Sequence, residues 1–572
     1  MKKTWIITAA VLAALMTGCS GGSRPPESSA AESAATESSA GSSAAESASE
    51  TSGDTEQPHE ESSEPFENAA PDPDYDAGTV SVSAAAGDYE IIYTVDEESA
   101  CAYASVTYST NYVPDDKLAS ASLTASAERG ECFFANNDST CSADLTAAIR
   151  FNVVDENGHT KTYTVVTERT EGLLPVVDIT LADGRSAADI PRNETIGMTI
   201  SIDCSKSPEY PSGLAEVSGK IRGRGQSTWG WAKKPYKIKL DKKAEVLGLT
   251  ANKDWILIAN YADKSLIRNT VAYDMSRVMD FDWTPTQYPV DLFINGEYQG
   301  VYTIGEQMEV AKSRVNITEQ SEDSEQCGYL LEVGGADSSV TAEGVDYFHT
   351  NSDMLNFVTF VYPSPDKITD EQRTKIIDAF NAADNAIVNG GDIAEYIDVD
   401  SFVDWVIIQE LTNNTDSAFR RSCYMTKDVG WKIKMGPVWD FDLAFGNYMA
   451  DNSAYNSWTI IGSDSEKAFI RPSWGNYLMS NASFRERLRE RWQEVRDDLI
   501  AAAEKSIDEY SAKIYPSQEE NFRVWQIWDK RVGYSSEWNA QQNTYELQVQ
   551  YLRDFIHKRA EWIDKSCKMG ND

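Results

Sequence analysis

Two clusters of carboxylates carry the residue types and spacings best suited to chemistry. The first is Glu410-Leu-Thr-Asn-Asn-Thr-Asp416 and the second is Pro437-Val-Trp-Asp-Phe-Asp-Leu-Ala-Phe-Gly-Asn447. In the second, Asp440 and Asp442 alternate with Trp439, Phe441 and Leu443. On an extended segment both carboxylates would share one face while the apolar side chains pack on the other. Paired carboxylates on rigid backbone suit Mg2+ or Mn2+, although a solvated acidic turn would have the same composition. Between the clusters, Ser422-Cys-Tyr-Met-Thr426 and Trp431-Lys-Ile-Lys-Met435 read as a hairpin closed by Lys427-Asp-Val-Gly430. Such a hairpin would bring Asp416 and Asp440 to neighbouring ends, as a base beside a metal ligand.

Cations sit upstream, in Lys220-Ile-Arg-Gly-Arg-Gly-Gln-Ser-Thr-Trp229 and Lys233-Lys-Pro-Tyr-Lys-Ile-Lys239. Glycines let backbone approach a phosphate while arginine and lysine neutralise it, and Lys237 and Lys239 would project from one strand face. Surface ion pairing would account for the same residues in an acidic chain. Other chemistries find little support. Of four histidines only His349 and His557 lie beyond residue 172, and no GxSxG, HExxH or Walker A pattern occurs, which disfavours nucleophilic triads and zinc hydrolysis. A net charge of −40 argues against nucleic acid and anionic surfaces as partners.

The elements that must position these residues fall into two textures. From Gly78 to Glu171, short alternating runs such as Tyr89–Val95, Ala147–Val154 and Thr160–Thr167 are separated by turn residues, the pattern of an all-β sandwich. From Leu173 the chain is α+β. Strand-like runs (Gly197–Asp203, Pro235–Leu240, Val290–Ile294, Gly328–Val333) give way to helical periodicity over Asp370–Asn389, Ser401–Leu411, Ser483–Tyr510 and Gln548–Asp564. A sheet-rich front and a helix-rich back predict two lobes with a cleft between them.

Six segments, RGRGQSTWGWAKKPYKIKL, NKDWILIANYADKSLIRNTVAYDM, VDLFINGEYQGVYTIGEQMEVAKSRVNI, GYLLEV, NNTDSAFRRSCY and PVWDFDLAFGN, occur in the order and spacing of the CotH family. The chain resembles these spore-coat-type proteins, whose fold is that of an atypical protein kinase. The resemblance implies ATP-dependent phosphoryl transfer to Ser or Thr of a protein. Asp440 is then the principal Mg2+ (or Mn2+) ligand, with Asp442 supporting and Asn413 or Asn414 assisting, while Asp416 accepts the substrate proton. It also implies that Lys237 or Lys239 pairs with the phosphates, that Arg222 and Arg224 flank the nucleotide, and that Glu306 partners the lysine.

Lys2 and Lys3, an apolar run from Trp5 to Met16, and Thr17-Gly18-Cys19 predict a signal peptide over 1–18 and a lipid on Cys19. Residues 19–77, rich in Ser, Ala and Glu, predict a disordered stalk. Residues 78–172 form the expected sandwich and 173–566 the kinase-like domain. The expected address is the extracellular face of the cell membrane, reached through the lipid alone. Two other readings compete with a surface kinase. One is a non-catalytic binding or adhesion protein on the same fold. The other is an acid-pair glycoside hydrolase using tryptophans such as Trp439 and Trp474 as a sugar platform. Cysteines 101, 132 and 141 fall close together, and a Cys132–Cys141 bridge is compatible with an exported chain.

Overall fold

The structure, a computed structural model, describes residues 74–569 except 88, 109–114, 322–325, 335–341, 356, 449–453, 459–472 and 537–541. Cys19, the signal peptide and nearly all of the stalk lie outside the described residues. The chain divides into a compact unit largely within residues 74–169 and a larger one from Thr170 onward.

The first unit is β-rich, with strands β1 (Val80–Ala86), β2 (Tyr89–Asp96), β3 (Cys101–Tyr108), β4 (Ala121–Ala127), β5 (Gly130–Phe133), β6 (Thr140–Ala143), β7 (Ile149–Asp155) and β8 (Thr160–Glu171). They follow one continuous order, β5-β7-β8-β3-β2-β1-β4-β6, rather than two separate sheets. The reason is β2, which pairs with β1 through Tyr89–Tyr93 and then with β3 through Thr94–Asp96. Alternate residues (Val82, Ala84, Ile91, Tyr93, Phe151, Val153) are buried, as the period of a strand requires. Cys101, Cys132 and Cys141 are all free thiols.

The second unit begins with β9 (Val176–Leu181), β10 (Ile196–Asp203), β11 (Leu214–Gly223), β12 (Tyr236–Val246), β13 (Leu249–Ile258), β14 (Gln287–Ile294) and β15 (Glu297–Glu306). These seven close into a barrel in the order β10-β11-β12-β13-β15-β14-β9. Closure rests on a parallel β14–β9 pairing between residues distant in sequence. Inward side chains such as Ile238, Trp255, Leu257, Leu292 and Ile304 fill the barrel with apolar volume.

Helix α1 (Arg268–Ser276) interrupts the barrel strands and is buried on nearly every side. A second sheet follows, made of β16 (Tyr329–Val333), β17 (Tyr347–Phe348), β18 (Val358–Tyr362), β19 (Cys423–Lys427) and β20 (Lys434–Met435), in the order β17-β18-β16-β19-β20. Helices α2 (Asp370–Asn389), α3 (Val399–Thr412), α4 (Trp474–Ser480), α5 (Ala482–Val524) and α6 (Tyr545–Met569) complete the unit. α2 starts on a Thr369/Gln372 capping box and stops at Gly390 in the left-handed region, the two signals expected of helix ends. α5 ties back to the barrel through Asn521, whose Oδ1 accepts from the Lys233 ammonium at 2.8 Å and the Val301 amide at 3.1 Å. Gly300 is required there, because a Cβ would stand 2.7 Å from the same oxygen. No described helix is long and apolar enough to cross a membrane.

Candidate active site

The first carboxylate cluster is the exit of α3. The helix ends with Asn413 in the left-handed region, its amide returning to Gln409 and Glu410 carbonyls. Glu410 is itself anchored by Arg559 of α6. The guanidinium donates to the Glu410 carbonyl at 2.6 Å and to its carboxylate at 2.5 Å, with both side chains buried. The loop leaving this anchor is buried from Asn413 to Thr415, and Asp416 emerges half-buried. Burial pushes the Asp416 carboxyl above its ordinary range, opposed by Arg421 and Arg420.

The second cluster follows the expected hairpin. β19 and β20 pair antiparallel, with Met425 opposite Met435, and the chain then runs directly to Asp440. Trp439, Phe441 and Leu443 are buried, Asp440 is exposed and Asp442 half-buried. The expected alternation is present, but the backbone is not the extended segment expected. Asp440 takes φ of 66°, a left-handed conformation that costs a non-glycine residue and persists only when its surroundings hold it. Three contacts do so. Asn414 Nδ2 donates to the Asp440 carbonyl at 2.9 Å, Asn269 Oδ1 accepts from the Phe441 amide at 2.7 Å, and Ser422 Oγ donates to Asp440 Oδ2 at 3.3 Å. Phe441 is locked edge-on against Tyr273 of α1, with ring centroids 5.9 Å apart.

The three aspartates interact. Asp440 is reached by solvent yet ringed by protein, so desolvation raises its pKa first and Asp416 raises it further, against Arg224 and Ser422. Asp442 is pushed well above the usual carboxylate range by burial, then by Asp440, Asp416 and Asp263. Three negative groups held close together against their own repulsion form the environment expected of a cation-dependent site. Among the described residues no group of three His, Cys, Asp or Glu side chains converges closely enough to hold a metal ion as it stands. The donor set nevertheless suits a hard divalent cation. Asn414 points the same way, because its Oδ1 is buried without a hydrogen-bond partner while its Nδ2 is fixed on Asp440. An acceptor left so is costly unless something binds it.

Of the cations expected upstream, the fold delivers Arg224. Its guanidinium lies over the Trp439 ring at 5.9 Å and interacts favourably with Asp440. Arg222 instead donates to the carbonyls of Arg192 and Gly223, at 3.2 and 3.0 Å. The glycines that follow each arginine serve packing rather than open approach to a phosphate. A Cβ on Gly223 would meet the Trp229 ring at 2.2 Å, and Gly225 has φ of 83° with Thr228 Oγ1 2.0 Å from its would-be Cβ.

Lys237 and Lys239 do share a strand face, and both turn to Asp254, with Nζ at 3.2 and 4.0 Å. The expectation that Glu306 partners one of them is corrected by the strand register. Lys239 stands opposite Asp254, Ile238 opposite Trp255, and Trp255 opposite Glu306. Alternate residues face opposite ways, so Glu306 shares the inner face with Ile238 and Trp255, away from both lysines. Its neighbours are the Thr286 amide at 3.0 Å and Arg314 at 3.9 Å.

One acidic residue of the site was not anticipated. Glu332, the penultimate residue of β16 and opposite Tyr424 of β19, hydrogen-bonds the Tyr424 hydroxyl, and its carboxyl is raised to about 7, chiefly by burial and then by Asp440. Its sequence signal was a charged residue amid the apolar run Tyr329-Leu-Leu-Glu-Val333. Asn269 and Tyr273 gave no such signal, since a buried helix shows no periodicity that singles them out. His349 and His557 sit in exposed pairs with Asp353 and Glu504, and neither is among the groups that act on the three aspartates.

Residues 221–563 match the family described as CotH kinase protein. The chain belongs to the CotH kinase family. The match spans all three aspartates and Arg224, and it starts inside β11, so β9, β10 and the first unit lie outside it. No curated protein matches the chain. The family's description as a kinase protein points to a nucleotide and a protein substrate as the class of partners.

Proposed function

We propose that this protein transfers the γ-phosphoryl group of ATP to Ser or Thr hydroxyls of an extracellular or envelope protein, from a lipid-anchored position outside the cell membrane. The observation that carries the reading is the joining of the Asp416 loop to the Asp440 turn through Asn414, with Arg224 facing them. In this reading the barrel and the helix-rich part are the two lobes of an atypical kinase, contributing cationic and acidic walls respectively. Asp416 orients the substrate hydroxyl and takes its proton as the oxygen attacks the γ-phosphorus. The bond from that phosphorus to the β–γ bridging oxygen breaks, and ADP leaves. Asp440, Asp442 and Asn414 would hold Mg2+ or Mn2+, which supplies charge neutralisation for the phosphates. Arg224 adds positive charge at the same place, and positioning with charge neutralisation accounts for most of the catalysis in such transfers. Lys237 and Lys239, both on the face of β12 that carries Asp254's partners, are the strand lysines that would meet a phosphate.

Anchoring rests on Lys2, Lys3, the apolar run and Cys19, and an acidic stalk would keep the catalytic unit clear of the surface. The second reading, surface binding without turnover, follows from the proposed address, because a chain held outside the cell membrane by Cys19 would meet little ATP. Incubation of the purified protein with labelled ATP and Mg2+ or Mn2+ separates the two. Transfer to a Ser-rich protein that is lost in Asp440→Ala supports the kinase. No labelling, with Asp440→Ala indistinguishable from the parent, leaves the binding reading.

A further inference from the structure

In a chain of net charge −40, two consecutive arginines stand at the candidate base. Arg421 Nη1 lies 3.9 Å from Asp416 Oδ1, and the Arg421 side chain is 63% exposed. Arg420 is half-buried and donates to the Thr415 carbonyl at 3.0 Å. Both arginines also act on the hydroxyl of Tyr448, which neighbours Asp416.

Their backbone is fixed. The Arg420 and Arg421 amides both donate to the Ser417 carbonyl, at 2.7 and 3.1 Å. Gly334 packs so closely that a Cβ there would stand 1.8 Å from the Arg420 carbonyl oxygen. The next residue, Ser422, has φ of 50° and donates to Asp440. The turn therefore fixes the backbone from which the largely exposed Arg421 side chain reaches Asp416.

A 3.9 Å contact to a carboxylate, with the arginine largely in water, is a weak ion pair. It leaves the planar guanidinium fork available for a bidentate partner. On that geometry, and resting on the kinase reading above, we infer that Arg421, backed by Arg420, selects hydroxyl substrates with a carboxylate beside the target Ser or Thr. The chain carries such sequences itself, in Glu27-Ser-Ser29, Glu37-Ser-Ser39 and Glu61-Ser-Ser63. The same chemistry on another protein would serve equally.

The test uses the full chain with ATP, Mn2+ and three peptides identical except that the serine is flanked by Glu, Gln or Lys. The Glu peptide is expected to exceed the Lys peptide in kcat/KM by about tenfold or more, the scale of one charge-assisted hydrogen bond. R421E should reverse the order, with the Lys peptide gaining over the parent protein, an outcome that misfolding cannot produce. A readout independent of turnover is anisotropy of labelled Ser→Ala versions of the peptides on Asp416→Asn protein, where the Glu preference should persist and vanish with R421E. Intact mass at several protein concentrations separates sources, since modification of the chain's own serines within one molecule proceeds at a concentration-independent rate. Phosphorylation indifferent to the flanking charge, or an R421E variant that slows all three peptides alike, overturns the inference and leaves the kinase reading standing. Absence of any transfer, unchanged by Asp440→Ala, overturns both.

Discussion

Asn414 donates from Nδ2 to the backbone carbonyl of Asp440 at 2.9 Å, and its own Oδ1 is buried with no partner. One side chain thus joins two carboxylate segments 26 residues apart and presents an unused acceptor beside them. Asn414→Leu keeps the volume and removes both functions. Metal-dependent nucleotide affinity should fall by about 10- to 100-fold, the usual effect of losing a group that orients a metal site. Apo stability should drop by only about 1 kcal/mol, the net worth of one hydrogen bond. Calorimetric titration of a non-hydrolysable nucleotide with Mn2+, alongside thermal melts, checks both. Unchanged affinity would remove Asn414 from the metal set.

The carboxyls of Asp416, Asp440 and Asp442 are raised by burial and, at Asp440 and Asp442, by one another. Ionising these carboxyls without a cation is therefore unfavourable, and two opposite effects of Asp440→Asn follow. Without metal the variant should melt higher than the parent at pH 7.5, because one of the repelling charges is gone. Adding nucleotide with Mg2+ or Mn2+ at 100 times the dissociation constant should stabilise the parent by about 2.7 kcal/mol and the variant far less. Melts with and without ligand read both effects. A variant that is less stable when empty would mean that Asp440 is there for packing.

Much of this site was legible in the sequence, and what was missed has a physical cause. The alternation around Asp440, the β19–β20 hairpin and the span of α2 depend on local periodicity and turn chemistry, which neighbouring residues encode. Barrel closure depends on Val176–Ile179 meeting Asp291–Ile294 in parallel, a pairing of distant segments that no local pattern announces. Glu306 was misassigned because a strand residue's face depends on register across three strands, and a shift of one residue reverses it. The left-handed Asp440 was missed because the contacts that hold it come from Asn269 on α1 and from Asn414 and Ser422 on the α3–β19 connection, all remote from it in sequence.

Glu332 links site design to stability through pH. Its folded-state pKa is raised from 4.5 to about 7, so the folded protein binds more protons than the unfolded chain between those values. Stability contributed by this group is present below pH 4.5 and lost as pH rises through 7. Glu332→Gln keeps an acceptor for Tyr424 and removes the titration. The variant should be more stable than the parent by on the order of 2 kcal/mol at pH 8, with the gap closing toward pH 4.5. Urea unfolding across that range measures it. A pH-independent difference would mean that Glu332 does not titrate in this window.

Arg559 and Glu410 form a fully buried pair at the point where α3 turns into the Asp416 loop. Removing one partner of such a pair leaves an uncompensated charge, at a cost of roughly 3–5 kcal/mol. Arg559→Met should therefore destabilise strongly, because Glu410 stays buried without its cation and its carbonyl loses a 2.6 Å donor. Glu410→Gln in the same background neutralises the stranded carboxylate and should recover part of the loss, giving a coupling well above the few tenths of a kcal/mol expected of independent sites. The carbonyl contact is not restored in the double variant. The Asp416 loop should stay mispositioned, with phosphoryl transfer depressed in kcat more than in KM for nucleotide. Denaturant melts of the four proteins supply the coupling, and steady-state rates supply the kinetic split. Additive stabilities would show that the pair is not energetically linked, and full recovery of kcat in the double variant would show that the Glu410 carbonyl contact does not set the loop.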